Sequence, residues 1–148
     1  MNIYQAQPKD VDKILPLFLA YREFYDVGTQ REQARDFILQ RLQLNESTIF
    51  FAQIADKVVG FTQLYPLFCS LEMKRIWLVY DLFVDPSSRK QGVAEALIAR
   101  AGQLAKESDS AFIMLSTATD NTRAQALYEK NGFVRDTDFY VYNKLLNK

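Results

Sequence analysis

The chain has 148 residues, the length of one ordinary domain, with 18 basic and 18 acidic side chains and no histidine. A net charge of zero argues against a general nucleic-acid binder, and the missing imidazole excludes any triad or zinc site that needs one. The single cysteine, Cys69, excludes an internal disulfide and a multi-cysteine metal site, so no metal is expected. That thiol economy fits a reducing cytoplasm. The N-terminal Met1-Asn2-Ile3-Tyr4-Gln5 has no basic stretch leading into an apolar run, so no secretory leader is expected. No apolar run approaches the about 18 residues of a membrane span.

In chain order, Asn2 to Ala6 reads as a short strand. Pro8-Lys9-Asp10 opens a helix with Val11, Ile14, Leu15, Phe18 and Leu19 at helical spacing. Pro16 is expected to kink it or to mark a late start, and the helix ends near Gly28. A second helix carries Ala34, Phe37, Ile38, Arg41 and Leu42. Residues 48–54 and 57–67 read as a hairpin around Asp56-Lys57. Lys74 to Val84 is apolar almost throughout, as a central strand is. A helix over about 91–108, a strand over 111–116 and a helix over 121–130 follow. Asn121 suits the N-cap of that last helix, and Asn131-Gly132 suits a left-handed C-cap with Phe133 as the contact after it. A final strand pair is expected within 133–146. The order βααβββαβαββ implies one domain over 1–148. It is α/β or α+β, with a mixed, mostly antiparallel sheet of six to seven strands flanked by about four helices.

The junction Val84-Asp85-Pro86-Ser87-Ser88-Arg89-Lys90-Gln91-Gly92-Val93-Ala94 carries a strand through a tight loop into a helix. The first amides of a helix lack internal partners and sit at its positive end, a geometry that binds phosphate. Arg89 and Lys90 add charge, and Gly92 allows close backbone approach. The same stretch also reads as an ordinary helix start with a solvated basic pair. It is neither a nucleotide-triphosphate loop nor a dinucleotide fingerprint.

Two motifs carry a resemblance. Arg89-x-x-Gly92-x-Ala94 resembles the pyrophosphate motif of the GNAT N-acetyltransferase superfamily, Gln/Arg-x-x-Gly-x-Gly/Ala. Asn121-x-x-Ala124-x-x-x-Tyr128-x-x-x-Gly132-Phe133 resembles its second motif. Tyr21 to Tyr25 and Tyr80 to Asp85 are similar to a histone- and polyamine-acetylating branch. The resemblance implies the GNAT fold, acetyl-CoA as co-substrate and an amine as acceptor, either a small cationic amine or a lysine side chain. It also implies a homodimer. The central strand should splay from its parallel neighbour. Backbone groups of Leu82, Phe83 and Val84 should hold the pantetheine arm, with an amide near Val84 polarising the thioester carbonyl. Arg89, Lys90 and the amides of Gln91, Gly92, Val93 and Ala94 should hold the pyrophosphate, while Asn121 and Ala124 line the pantetheine. Tyr128 should lie against the cofactor and protonate the leaving thiolate. By its helix pattern alone, Tyr128 is equally a core aromatic beside Ala124 and Leu127.

Asp81 stands out as the one carboxylate within 76–84. An unpaired buried charge is costly, so Asp81 is paired, hydrogen-bonded or functional. It either handles the acceptor ammonium, by binding it or by taking its proton through water, or caps nearby amides. Some relatives carry a glutamate base one position earlier, where this chain has Tyr80, which leaves the base unassigned. Tyr21, Phe24 and Tyr25 could flank a cationic amine, with Glu23 and Asp26 as its counter-charges, and Tyr80 could help Asp81 handle the ammonium; core aromatics at a solvated helix end would look the same as the first group. Cys69 and Trp77 read as packing residues. The tail Phe139-Tyr140-Val141-Tyr142 either completes the sheet or pairs with a second chain. Two other functions share these features: an acyl-CoA-binding sensor without turnover, and a protein lysine or N-terminal acetyltransferase.

Overall fold

Among the described residues, five strands and four α-helices form from the runs that periodicity marks. The computed structural model describes residues 1–147. It comprises two compact units, Met1–Ser116 and Thr117–Lys148. The first unit holds β1 (Asn2–Gln5), α1 (Val11–Phe24), α2 (Arg31–Gln43), β2 (Thr48–Ile54), β3 (Lys57–Cys69), β4 (Lys74–Val84), α3 (Val93–Glu107) and β5 (Ile113–Leu115). Its sheet runs β1-β2-β3-β4-β5, antiparallel except for the β4–β5 pair. The second unit holds α4 (Thr122–Lys130). The class is the expected α+β mixed sheet; the strand number is five.

Ile49, Phe50, Phe51 and Ala52 are consecutive and all buried, so β2 is covered on both faces. On one face α1 and α2 pack Ile14, Leu15, Phe18 and Ile38 against Ile49, Phe51, Phe61 and Phe83. On the other, α3 buries Val93, Leu97, Ile98 and Ala101. Gly60 sets how closely α3 approaches β3. A Cβ there would come within 2.9 Å of Val93 Cγ1 and 3.2 Å of the Phe83 carbonyl oxygen. Gly60→Ala is therefore expected to lower stability by about 1–3 kcal/mol, the usual cost of overpacking, in urea melts.

Residues directly opposite in a ladder share a face. Leu64 faces Val79 and Gln63 faces Asp81, so β3 advances one residue while β4 advances two. The extra residue is Tyr80, a β-bulge. It reverses the alternation of β4. Val79 lies with Leu64 on the α3 face, whereas Asp81 and Phe83 lie with Gln63 and Phe61 on the α1 face. Phe18 and Tyr21 of α1 meet the Phe61 ring there at 6.2 and 5.9 Å, and Tyr21 meets Phe83 at 6.1 Å.

α1 runs from Val11 through Pro16, so the helix does not start late at the proline. Asp10 just before it is buried, accepts from the Gln7 amide at 2.9 Å and pairs with Lys13 at 3.3 Å. The six- to seven-stranded expectation is corrected at the C-terminus. Among the described residues, 133–147 contain no strand, and the Asp136 carboxylate there accepts from the amides of Asp138 and Phe139. Aromatic and β-branched composition gives a segment strand propensity, but only a hydrogen-bonded neighbour makes it a strand. No helix among the described residues is long and apolar enough to cross a membrane.

Candidate active site

The β4–β5 ladder is three residues long, pairing Trp77, Val79 and Leu78 between them with Ile113 to Leu115. Beyond Val79 the β5 side of β4 has no strand partner among the described residues. Tyr80 to Val84 thus present backbone on that side, which is where a splayed pair was expected. The Val84 carbonyl already accepts from Arg89 Nε at 3.2 Å, and the Arg89 guanidinium stands 5.7 Å from the Phe83 ring centre. Arg89 is therefore tethered to the strand end as part of the loop's frame.

The loop is rigidly capped. The Asp85 carboxylate accepts from the Ser87 amide and hydroxyl, both at 2.9 Å, and meets Lys57 Nζ at 3.3 Å. The Ser87 amide, more than the other donors, holds its carboxyl below the usual carboxylate range. Lys90 (φ +64°) and Gly92 (φ +78°) then turn the chain in the left-handed region into α3. The first intrahelical bond runs from the Ala96 amide to the Gly92 carbonyl at 3.0 Å. The amides of Val93 and Ala94 precede it and have no intrahelical acceptor. Lys90, Gln91 and Gly92 are exposed at this mouth, while the Val93 side chain is buried beneath it. The arrangement suits a pyrophosphate: free amides, a helix N-terminus and a lysine, without a side chain at Gly92.

Asp81 is 5% exposed. Its Oδ2 accepts from Gln63 Nε2 at 2.8 Å, and Gln63 Oε1 accepts from Ser47 Oγ at 2.7 Å. The Thr62 hydroxyl donates to the Asp81 carbonyl at 2.8 Å. The Tyr21 phenol stands against the carboxyl and also reaches the Tyr80 carbonyl at 3.4 Å. Among the described residues no basic side chain forms an ion pair with Asp81. Burial raises its pKa, against the opposing pull of the Gln63 and Tyr21 hydrogen bonds. Burial, reinforced by the Asp81 charge, also raises the Tyr21 phenol, and Tyr65 is pushed up to about 12 by the same two causes.

The structure thus brings Tyr21, Tyr80 and Asp81 together, with Tyr25 against Tyr21 at 5.2 Å and Phe24 against Tyr25 at 5.1 Å. Phe24 and Tyr25 are largely exposed. Glu23 and Asp26 are exposed and stand outside this contact network. Sequence reading passed over Ser47, Thr62, Gln63 and Tyr65, the last 5.7 Å from the Tyr80 ring. A signal existed, since Thr62-Gln63 is a polar pair inside an apolar strand. Leu82 is half-buried, and Phe83 belongs to the aromatic core. Trp77 is buried and donates to Ser108 at 2.9 Å, a packing residue with its N–H satisfied.

In the second unit, Asn121 caps α4 by accepting from the Ala124 amide at 3.1 Å. Gly132 (φ +90°) ends it, the Phe133 amide donates to the Tyr128 carbonyl at 3.0 Å, and the two rings lie 5.9 Å apart. Both expected caps are present. Tyr128 and Ala124 are half-buried.

The capped strand–loop–helix mouth suits an anion, and the comparisons fix the family. The chain belongs to the acetyltransferase (GNAT) family, which it matches over residues 14–133. It is 42% identical over 142 residues to the uncharacterized N-acetyltransferase YhfO of Bacillus subtilis, covering 96% of this chain and 95% of the relative. It is 30% identical over 134 residues to a probable acetyltransferase of Haemophilus influenzae, covering 90% of each. The crystal structure of a probable acetyltransferase superposes with a TM-score of 0.95 at 39% identity, covering 100% of this chain and 99% of that one. The protein is an acetyl-CoA-dependent acyltransferase, an N-acetyltransferase whose acceptor contains an amine.

Proposed function

We propose that the protein transfers acetyl directly to a primary amine carried by a small cationic molecule or a lysine-type side chain. One observation carries the acceptor reading: Asp81 is a buried carboxyl with no cationic partner among the described residues. A positive charge delivered by the acceptor would complete it. Tyr21, Phe24, Tyr25 and Tyr80 supply aromatic faces for the same ammonium, and Glu23 adds charge at the rim. The segments Tyr21–Tyr25 and Tyr80–Asp85 support a place beside the histone- and polyamine-acetylating branch.

Acetyl-CoA, when bound, supplies the acetyl group as a thioester open to attack by a neutral amine. The amides of Gln91 to Ala94, with Arg89 and Lys90, hold its pyrophosphate. The unpaired edge over Leu82, Phe83 and Val84 holds the pantetheine arm. Asp81 binds the ammonium and takes its proton, directly or through water, aided by its raised pKa. Tyr128, with Asn121 and Ala124 beside the pantetheine, gives a proton to the leaving sulfur. The two units act as one catalytic domain, a reading supported by the family match across both. A cytoplasmic location is supported by the single cysteine. A homodimer is supported by the exposed tail, where Phe139 is 80% and Tyr142 90% exposed. Cell fractionation and sedimentation equilibrium test these two.

Calorimetric titration with acetyl-CoA, followed by thiol release with polyamines and lysine peptides, tests the function. Micromolar binding with turnover is the expected result. Binding without turnover on any amine would make the protein an acyl-CoA sensor. Tyr128→Phe is expected to lower kcat by about 100-fold, within the range of general acids, and to leave acetyl-CoA affinity nearly intact. Equal loss of both would make Tyr128 a packing residue.

A further inference from the structure

Gln63 is fully buried on β3, directly opposite Asp81. A glutamine amide has one accepting end and one donating end. Its Oε1 takes the Ser47 hydroxyl at 2.7 Å, which leaves Nε2 to donate to Asp81 Oδ2 at 2.8 Å. Ser47 is itself buried, at the residue before β2. The Thr62 hydroxyl pins the Asp81 backbone from the neighbouring position. The carboxyl is therefore held from both its backbone and its side chain, and each donor is neutral.

The choice of a neutral donor has a chemical result. A lysine or arginine in place of Gln63 would hold Asp81 equally well. It would also hold the carboxylate permanently ionised, with its charge already answered. Every other titratable group that faces this cluster leaves the charge unanswered too. Tyr21 approaches from α1 with Tyr25 behind it, Tyr65 lies on β3 and Tyr80 on β4, and all are phenols. The cation that acts on Tyr65 from α2, Arg41, is committed to Glu46 at 2.9 Å.

We propose that Gln63, oriented by Ser47, is a positioning residue for Asp81: it fixes the carboxyl with an uncharged donor and so reserves the counter-charge for the acceptor's ammonium. The proposal rests on the reading of Asp81 as the acceptor-binding group, and the test separates the two.

The test titrates the Asp81 carboxyl by carbon NMR in protein labelled at aspartate Cγ, with Asp81→Asn assigning the signal. Gln63→Met removes a donor to the charged form. It is expected to move the midpoint upward by about one pH unit, the equivalent of one hydrogen bond to a charged group. Ser47→Ala, the gentler variant should Gln63→Met fold poorly, should move it the same way by less. Gln63→Lys should move it downward. With spermidine as the probe acceptor, Gln63→Lys should raise the amine KM at least tenfold and leave the acetyl-CoA KM unchanged. A midpoint indifferent to Gln63→Met and Ser47→Ala, or moved in one direction by both Gln63→Met and Gln63→Lys, overturns the role of Gln63. If Asp81→Asn turns over like the parent, the acceptor reading fails instead. If spermidine is not a substrate, the titration alone decides.

Discussion

Gly92→Glu is expected to lower acetyl-CoA affinity by at least about 100-fold, roughly 2.7 kcal/mol, in a protein that still melts cooperatively. Gly92 sits at φ +78°, and a Cβ built on it meets nothing within 4 Å. The new Cβ therefore clashes with no neighbour, and the conformational cost of the substitution is about 1 kcal/mol. What it adds is a carboxylate in front of the Val93 and Ala94 amides, where the helix dipole already favours an anion. The side chain would fill the place of the pyrophosphate and repel it. Gly92→Ala carries the strain without the charge and is expected to lose much less. Calorimetry on the two variants distinguishes them: equal losses would mean that the turn, not the anion site, had been damaged.

Asp81→Asn is expected to lower kcat/KM for the amine by about 100-fold or more while stabilising the fold at neutral pH. The two effects share a cause. Burial raises the Asp81 pKa above its value in the unfolded chain. At pH below about 4, the ordinary carboxylate range, the group is neutral in both states and costs nothing. As pH rises, the unfolded chain gives up the proton first. The stability this group contributes is then lost progressively until the pH has passed its folded pKa. Asparagine keeps the shape and an oxygen for Gln63 Nε2, and it does not titrate. Its advantage over the parent should be small in urea melts at pH 4 and largest at pH 8. A variant less stable at pH 8 would show that the carboxylate is structurally satisfied as it stands.

The second half of the chain was legible because its signals are local. Asn121 and Gly132 mark helix ends through their own side-chain and backbone chemistry, and both act as read. The Pro86 loop into α3 was legible for the same reason. The site's other half was not. Gln63 and Ser47 meet Asp81 only through long-range pairing, which spacing along the chain does not encode. Gly60 looked like punctuation, yet its role is the nearness of Val93, contributed by another element. Glu23 and Asp26 were read from their charge alone, and both are exposed at the helix end. Phe139 to Tyr142 had the aromatic and β-branched composition of a strand, and composition does not name a partner.

The extra residue in β4 makes that strand two strands laid end to end with opposite faces. Its first half, through Val79, shares the hydrophobic layer under α3; its second half, from Asp81, faces the tyrosines. The frame of this segment is therefore itself a heritable trait. Pairing Tyr80 in register opposite Gln63 would leave composition and hydrophobicity unchanged, yet it would turn Asp81 into the α3 layer and Leu82 toward Tyr21. Point substitutions along β4 can be graded, whereas a one-residue slip of register there exchanges the inside of the enzyme for its working surface.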